Sequence, residues 1–138
     1  MTTTREDAEI KNAIVTHTRL GVAHTDHGIL SFSITLDFGA SRWAFGGWVL
    51  DDGDADGGRR IPTRMGSSLL LGIDQLFGCD WEDLIGKPCR VYIRAERIFA
   101  LGHYLKDKWM WFEPVLNEFA VSPLAGMEAL AKRGMGKE

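Results

Sequence analysis

The strongest constraint on the fold is a nine-residue segment in which apolar and polar side chains alternate without exception. Its apolar members are Leu30, Phe32, Ile34, Leu36 and Phe38, and its polar members are Ser31, Ser33, Thr35 and Asp37. Successive side chains of a β-strand point to opposite faces, so the pattern predicts a strand with one buried face and one face in water. The chain must therefore contain a sheet.

Three further strands are predicted around this segment. Residues 9–22 are rich in β-branched side chains, which favours a strand. Residues 43–50 indicate an aromatic strand, and the glycine pair Gly46-Gly47 inside it indicates a bulge or a close backbone approach. Residues 90–101 alternate again and predict one strand that crosses the sheet. The mixed basic and aromatic segment 103–112 is expected to add a fifth strand.

Two helices are also predicted. Over residues 63–77 the apolar residues recur at spacings of three and four, which is typical of an amphipathic helix. We expect Gly66 and Gly72 to allow this helix to pack closely on the sheet. A short C-terminal helix is predicted at about 123–133, with Ser122 as its cap.

These elements predict an α+β domain with a mainly antiparallel sheet, one principal helix packed on one face and a short C-terminal helix. The 138 residues are expected to form a single domain, 1–138, with its core roughly at 10–113. Cys79 and Cys89 are expected to be reduced thiols, since a chain of this length does not need a disulfide.

Charge and hydropathy exclude several partners. The chain has 16 basic and 19 acidic residues, a net charge of -3, so no broad positive field is available for duplex nucleic acid or an anionic membrane. No apolar run approaches the roughly 18 residues of a membrane span, and the polar N-terminal residues lack the apolar segment of a signal peptide. We therefore expect a cytoplasmic protein.

Motifs for metal binding and catalysis are incomplete. Residues 52–57 match the opening of an EF-hand loop, but Thr63 occupies the twelfth position, where a calcium loop has glutamate. His24 and His27 are too few for a zinc site. No serine lies in a nucleophile motif. The sequence thus predicts a non-enzymatic protein with no metal and no cofactor.

Cationic and aromatic residues remain as candidates for ligand binding. Arg59, Arg60 and Arg64 surround the start of the principal helix, where guanidinium groups and free backbone N–H groups together suit phosphate oxygens. Basic and aromatic residues are also grouped at 103–109, where an aromatic face could stack a base. The alternative interpretation, with equal weight, is a solvated basic edge beside aromatic residues of the core.

The order of short motifs along residues 10–113 resembles a known family. These motifs are Leu20-Gly21, Asp26-His27-Gly28-Ile29-Leu30, Leu36-Asp37-Phe38-Gly39, Phe45-Gly46-Gly47-Trp48, Trp81-Glu82-Asp83-Leu84, Gly102-His103 and Lys106-Asp107-Lys108-Trp109. Together they resemble small phage and prophage proteins, the Thoeris anti-defence sponges, which sequester a cyclic nucleotide signal of bacterial immunity.

The resemblance implies a homo-oligomer, a dimer or a trimer of dimers, with pockets between protomers. It also implies binding of a small-molecule cyclic nucleotide of the cyclic ADP-ribose class without cleavage. Placed by motif position, the implied ligand-binding residues are His27, Phe45, Arg59, Arg60, His103, Lys106 and Trp109.

Two other functions stay open. The segment Trp81-Glu82-Asp83-Leu84-Ile85-Gly86-Lys87 before a strand also resembles phage proteins that bind single-stranded nucleic acid or assist replication. Aromatic residues at 109–112 could stack bases in such a protein. A protein inhibitor of a host defence complex would instead expose an aromatic patch to a protein partner.

Overall fold

The structure is a computed structural model that describes residues 8–23, 29–51 and 63–135. Its strands are β1 Glu9–Ala23, β2 Ile29–Asp37, β3 Arg42–Val49, β4 Pro88–Arg94, β5 Arg97–Gly102, β6 Trp109–Glu113 and β7 Glu118–Ser122. Its helices are α1 Arg64–Phe77 and α2 Leu124–Met135, with a short 3-10 turn at Trp81–Asp83. The predicted α+β class is confirmed: an antiparallel sheet carries one main helix and a short C-terminal one.

The described strands form one sheet in the order β3-β2-β1-β4-β5-β6-β7. The 15-residue β1 pairs with β4 through Glu9 to Ile14 and with β2 through Ile14 to Ala23, and the register shifts between Val15 and His17. Although three strands separate β3 from β5 in the hydrogen-bonded order, the two strands touch. The sheet therefore curls strongly.

The predicted alternation of apolar and polar residues in β2 determines which face of the sheet is buried inside the protein. Phe32, Ile34 and Leu36 are at most 1% exposed, whereas the polar residues between them reach solvent. On the enclosed side lies α1, which buries Leu69 and Ile73. Burial of such side chains contributes about 1.5–3 kcal/mol each, so this face supplies much of the stability.

Five aromatic rings, the inner aromatic cluster, join the two edges of the curled sheet. The cluster consists of Phe32, Phe45, Trp48, Phe112 and Phe119. The ring centroid of Phe119, in the edge strand β7, lies 6.4 Å from that of Phe45 and 5.3 Å from that of Trp48. Phe45 and Trp48 belong to the opposite edge strand β3. These edge-to-face contacts hold the sheet in its curled form.

The other face of the sheet has its own apolar cluster beneath α2. It consists of Tyr92, Ala100, Trp109, Trp111 and Met127. The Tyr92 hydroxyl donates to Glu128 Oε2 at 2.7 Å and so fixes α2 to β4. Burial and that hydrogen bond raise the pKa of Tyr92 to about 12. Strand β6 consequently has helices over both its faces, and Trp109, Met110 and Trp111 are all buried.

The single strand predicted over residues 90–101 was wrong. The chain reverses at Ala95 and Glu96, whose φ angles are 53° and 63°, and forms the β4–β5 hairpin. Neither residue is the Gly or Asn that usually marks such a turn, so the sequence carried no turn signal. Strand β7 was also missed, because it follows a short turn at residues 114–117 and has only five residues.

The caps of the helices differ in how well they were predicted. Thr63 Oγ1 accepts a hydrogen bond from Gly66 N and caps α1. At α2 the predicted cap was wrong: Leu124 N donates to Asp107 Oδ1 at 2.9 Å, while the Ser122 hydroxyl donates to Pro123 O.

The two cysteines are free, as expected.

Two glycines permit close backbone approaches. A Cβ at Gly66 would overlap Leu50 O, which already accepts hydrogen bonds from Thr63 N and Thr63 Oγ1. In β3, a Cβ at Gly46 would overlap Phe32 O, and the register of β2 and β3 shifts there. The predicted bulge in β3 and the predicted close packing of α1 are both confirmed.

We predict that Gly66→Ala lowers the free energy of unfolding by about 1–3 kcal/mol, because the new methyl group meets a backbone carbonyl that hydrogen bonds hold in place. Urea unfolding followed by circular dichroism measures the change. The control is Gly126→Ala in α2, where the nearest atom to the new Cβ would be Ser122 Oγ at 3.3 Å. There the higher helix propensity of alanine, about 1 kcal/mol, should leave stability unchanged or raised.

Candidate functional site

The structure describes four of the seven predicted ligand-binding residues. His27, Arg59 and Arg60 lie outside the described residues, as do the acidic loop at 52–57 and His24. Phe45 lies in the middle of β3, Trp109 begins β6, and His103 and Lys106 lie in the loop that connects β5 to β6. Their predicted role in binding a ligand stays a prediction.

The loop of residues 103–108, the β5–β6 loop, is held by an internal hydrogen-bond network. His103 Nδ1 accepts from Leu105 N at 3.0 Å and Lys106 N at 2.9 Å. Arg90 Nε donates to His103 O and Arg90 Nη2 donates to Lys106 O, both at 2.8 Å. Lys108 Nζ donates to Gln75 O near the end of α1. These bonds give His103 a structural task in which Nδ1 carries no proton.

Partial burial lowers the pKa of His103, and the positive charges of Lys108, Lys106 and Arg90 lower it further. The four basic groups therefore do converge around this loop. Three of these groups, Arg90, His103 and Lys108, also form a hydrogen bond between a side-chain nitrogen and the backbone, whereas Lys106 does not.

Trp109 and Phe45, the two described aromatic residues that were predicted to contact a ligand, lie in the interior of the protein. Trp109 is 1% exposed, pairs with Gly102 across the sheet, and lies beneath the Arg90 guanidinium at 4.9 Å from its ring centroid. Phe45 is 2% exposed within the inner aromatic cluster. The alternative interpretation of the sequence, aromatic residues of the core, describes how both rings lie.

In a single copy of the chain, Phe45 and the residues of the β5–β6 loop do not come together in one site. Phe45 lies beside the cleft that includes Arg97 at the start of β5, whereas His103 follows the end of that strand. Six residues of strand at about 3.3 Å each separate Arg97 from His103 by roughly 20 Å. The β4–β5 turn that lines the cleft and the β5–β6 loop therefore lie at opposite ends of β5, and no residue of that loop lines the cleft.

A cleft of about 890 Å³ opens between β3 and the β4–β5 hairpin, and we call it the hairpin cleft. It falls within the range of about 300–1,000 Å³ that is usual for small-molecule sites. Its lining comprises Trp43, Ala44, Phe45, Gly46, Gly47 and Trp48 from β3, then Arg94, Ala95, Glu96, Arg97, Ile98 and Phe99 from the hairpin, and Phe112 and Pro114.

The hairpin cleft combines a rigid aromatic wall with cations. Trp48 stacks on Phe32 with 5.9 Å between ring centroids and 16° between planes, so its position is fixed by the core. Trp43 lies nearer solvent, 36% exposed, with its ring against Phe38. Arg94 and Arg97 of the β4–β5 hairpin also line the cleft. This pairing of aromatic surface with guanidinium groups suits an anionic ligand with a flat ring.

A second described cavity, of about 420 Å³, has the opposite charge. It lies among Leu20, Leu70 and the turn after α1, with Asp74, Asp80 and Glu82 in its lining. Burial raises the pKa of Cys79, which also lines it, so its thiol stays protonated near neutral pH. An acidic lining repels a nucleotide.

Sequence reasoning missed Arg94 and Arg97 because it placed them along one continuous strand. Only the hairpin brings them opposite one another. The available signal was the polar side of the alternating segment 90–101, which is unusually rich in arginine.

Comparisons of the chain with protein-family models, curated proteins and solved structures returned no match. In the part of the chain that the structure describes, no helix is long and apolar enough to cross a bilayer.

We predict a pH dependence of stability from His103. Its pKa in the folded protein lies below the ordinary value of 6.5, so the unfolded chain takes up a proton first as the pH falls. The stability from neutral His103 is thus present above pH 6.5 and declines as the pH drops through 6.5 toward the lower folded pKa. Thermal unfolding between about pH 7.5 and 5.5 measures this slope.

His103→Asn should flatten that slope, since asparagine does not titrate and its side-chain oxygen can accept the same backbone hydrogen bonds. His17→Asn, at an exposed position on β1, is the matched control and should leave the slope unchanged. Parallel slopes for wild type and His103→Asn would contradict the prediction.

Proposed function

We propose that this chain is a phage-type anti-defence protein that binds a cyclic nucleotide immune signal of the cyclic ADP-ribose class and holds it without cleavage. The observation that carries the proposal is the hairpin cleft, whose lining combines an aromatic wall with two arginines around a volume of about 890 Å³. A sponge of this kind acts in the cytoplasm of the infected cell, which agrees with the expected location.

The aromatic wall suits a purine. Trp48 is locked by Phe32 and Phe45 behind it, so stacking a base there costs little side-chain entropy. Each stacked base contributes about 1–3 kcal/mol in proteins that bind nucleotides through aromatic residues. Trp43, at the exposed end of the wall, can cover a ring that rests against β3.

The polar groups of the cleft favour binding over bond breaking. Its described lining offers guanidinium groups at Arg94 and Arg97 and one carboxylate at Glu96, with no serine, cysteine, histidine or lysine. Guanidinium groups hold phosphate oxygens, and a carboxylate accepts hydrogen bonds from ribose hydroxyls. Cleavage of a glycosidic or phosphate bond generally needs a second acid, a nucleophile or a metal.

A homo-oligomer belongs to this proposal. In one protomer no residue of the β5–β6 loop lines the cleft that Phe45 borders, yet the resemblance assigns both to ligand binding. A pocket between protomers reconciles the two, because the loop of a second copy can reach a cleft that its own protomer's loop cannot. Lys106 would then add a cation to the cleft of its neighbour.

The test is retention of ligand by purified protein. The protein is incubated with cyclic ADP-ribose isomers and removed by filtration, and the filtrate is assayed before and after the retained protein is heated. We expect the ligand to disappear and to return chemically intact. Ligand that returns altered would show catalysis, and ligand that is never retained would refute the proposal.

Trp43→Ala should weaken retention about tenfold or more, since it removes the exposed end of the aromatic wall. Leu71→Ala is the control, because Leu71 is a large apolar residue of α1, 64% exposed and outside the cleft lining. Equal affinity of the two variants, measured by calorimetry, would remove the aromatic wall from the site.

A second function has one observation in its favour. β1 forms hydrogen-bonded pairs with both β2 and β4, and β3 contacts β5. In the order along the chain, α1 follows β3 and precedes β4. This order resembles the five-stranded Greek-key barrel that binds oligonucleotides, in which the turn between the fourth and fifth strands forms part of the site. The hairpin cleft includes the corresponding turn, Ala95-Glu96.

Single-stranded nucleic acid would bind along an extended path and lose affinity steeply with salt. Fluorescence anisotropy with a labelled oligothymidylate at several salt concentrations separates this function from the first. We expect weak binding that cyclic ADP-ribose isomers displace, because the net charge of -3 gives no continuous basic track. Tight binding that those isomers do not affect would favour the oligonucleotide function.

A further inference from the structure

We propose that Arg94 and Arg97 form a clamp for a diphosphate group at the mouth of the hairpin cleft. This inference rests on the proposed function and deepens it, because it names the chemical group that the cleft recognises and the residues that hold it.

The register places the two arginines side by side. Arg94 and Arg97 are direct cross-strand partners in the antiparallel pairing of β4 and β5. Directly opposite residues project from the same face, with their Cβ atoms about 4.5–5.5 Å apart. Both arginines line the hairpin cleft. Like charges at such a position destabilise a hairpin, so the pair costs stability in the absence of a bound anion.

Among the described residues no direct ion pair offsets this cost, although the charge of Arg94 acts on Tyr92, whose hydroxyl donates to Glu128. The ion pairs between described residues join Lys11 to Glu9, Arg42 to Asp37 and Arg64 to Glu118. Arg42 and Arg64 thus have acidic partners, whereas Arg94 and Arg97, like the exposed Arg19 of β1, form no ion pair with a described carboxylate. Glu96 lies between them in sequence but forms an ion pair with neither.

The turn that sets this register is strained. Ala95 and Glu96 both have positive φ, 53° and 63°, in the left-handed region that side chains other than glycine and asparagine rarely adopt. An Asn-Gly pair would form the same turn without that strain. A strained turn and a cation pair without a direct ion-pair partner among the described residues coincide in the lining of one cleft, and local departures of this kind are concentrated at functional sites.

The chemistry of the pair selects the ligand. A guanidinium presents parallel N–H groups that match two oxygens of a phosphate, and two such groups side by side match the oxygens of adjacent phosphates. The aromatic wall of β3 lines the same cleft as the pair. A nucleotide can therefore place its diphosphate on the arginines while its base lies on the aromatic wall.

Inorganic pyrophosphate is the probe, because it has the diphosphate group without base or ribose. Binding to the full chain is measured by calorimetry and by thermal unfolding, at an ionic strength kept constant with sodium chloride. We expect pyrophosphate to raise the unfolding temperature of the wild-type protein. Arg94→Gln and Arg97→Gln should each weaken its binding at least tenfold, and Arg19→Gln, at an exposed arginine of β1 outside the cleft, should not.

The same variants show whether the arginines serve binding or structure. Without pyrophosphate, Arg94→Gln and Arg97→Gln should unfold at the same temperature as wild type or higher, because each removes one of two facing charges. Lower unfolding temperatures in both variants would instead show a structural role and overturn the proposal. Unchanged pyrophosphate affinity in the double variant would overturn it as well.

A turn variant separates strain from charge. Ala95→Asn should raise the unfolding temperature and leave pyrophosphate affinity within about twofold of wild type, since the arginines keep their register and Glu96 keeps its charge. Loss of affinity in this variant would contradict the assignment of binding to the arginines.

Retention of cyclic ADP-ribose isomers, measured in parallel, distinguishes the two proposals. If the double arginine variant still retains the cyclic nucleotide, the clamp is refuted and the sponge function stands. If wild type binds pyrophosphate through the arginines but retains no cyclic nucleotide, the clamp stands and the sponge function is refuted.

Discussion

The long strand β1 pairs with two different strands along its length, and the shape of the whole sheet follows from this arrangement. Its first residues belong to the ladder with β4 and its remaining residues to the ladder with β2, and the register shift between Val15 and His17 lies at the change. One strand thereby joins β2 and β3 to β4 through β7 and lets the sheet curl. The inner aromatic cluster, α1 and the hairpin cleft all occupy space that this curl creates.

Elements with a local cause could be predicted from the sequence. The alternation of β2, the apolar spacing of α1 and the glycine pair of β3 each reflect a periodicity or a steric need that neighbouring residues encode. The β4–β5 hairpin was missed because its turn residues, Ala95 and Glu96, adopt a conformation that their own preferences oppose. Tertiary context, which a local pattern does not contain, imposes that turn.

The candidate site was predictable only in part for the same reason. Phe45 was predicted from a motif in β3; it is 2% exposed and borders the hairpin cleft, and its role in binding stays a prediction. Arg94 and Arg97 acquire meaning only once the register of two strands is known. Trp109 shows the converse: a tryptophan beside basic residues in sequence predicts stacking on a ligand, but here its partner is the protein's own Arg90.

The β5–β6 loop anchors both helices although they cover opposite faces of the sheet. Lys108 binds the end of α1 through Gln75 O, Asp107 binds the start of α2 through Leu124 N, and Arg90 ties the loop to β4. A 12-residue helix such as α2 has little stability of its own in water, so it depends on this anchor. Opening of the loop would remove one hydrogen bond from each helix, so a local change on the surface would be felt on both faces of the sheet, while the buried side chains of α1 still hold that helix on the core.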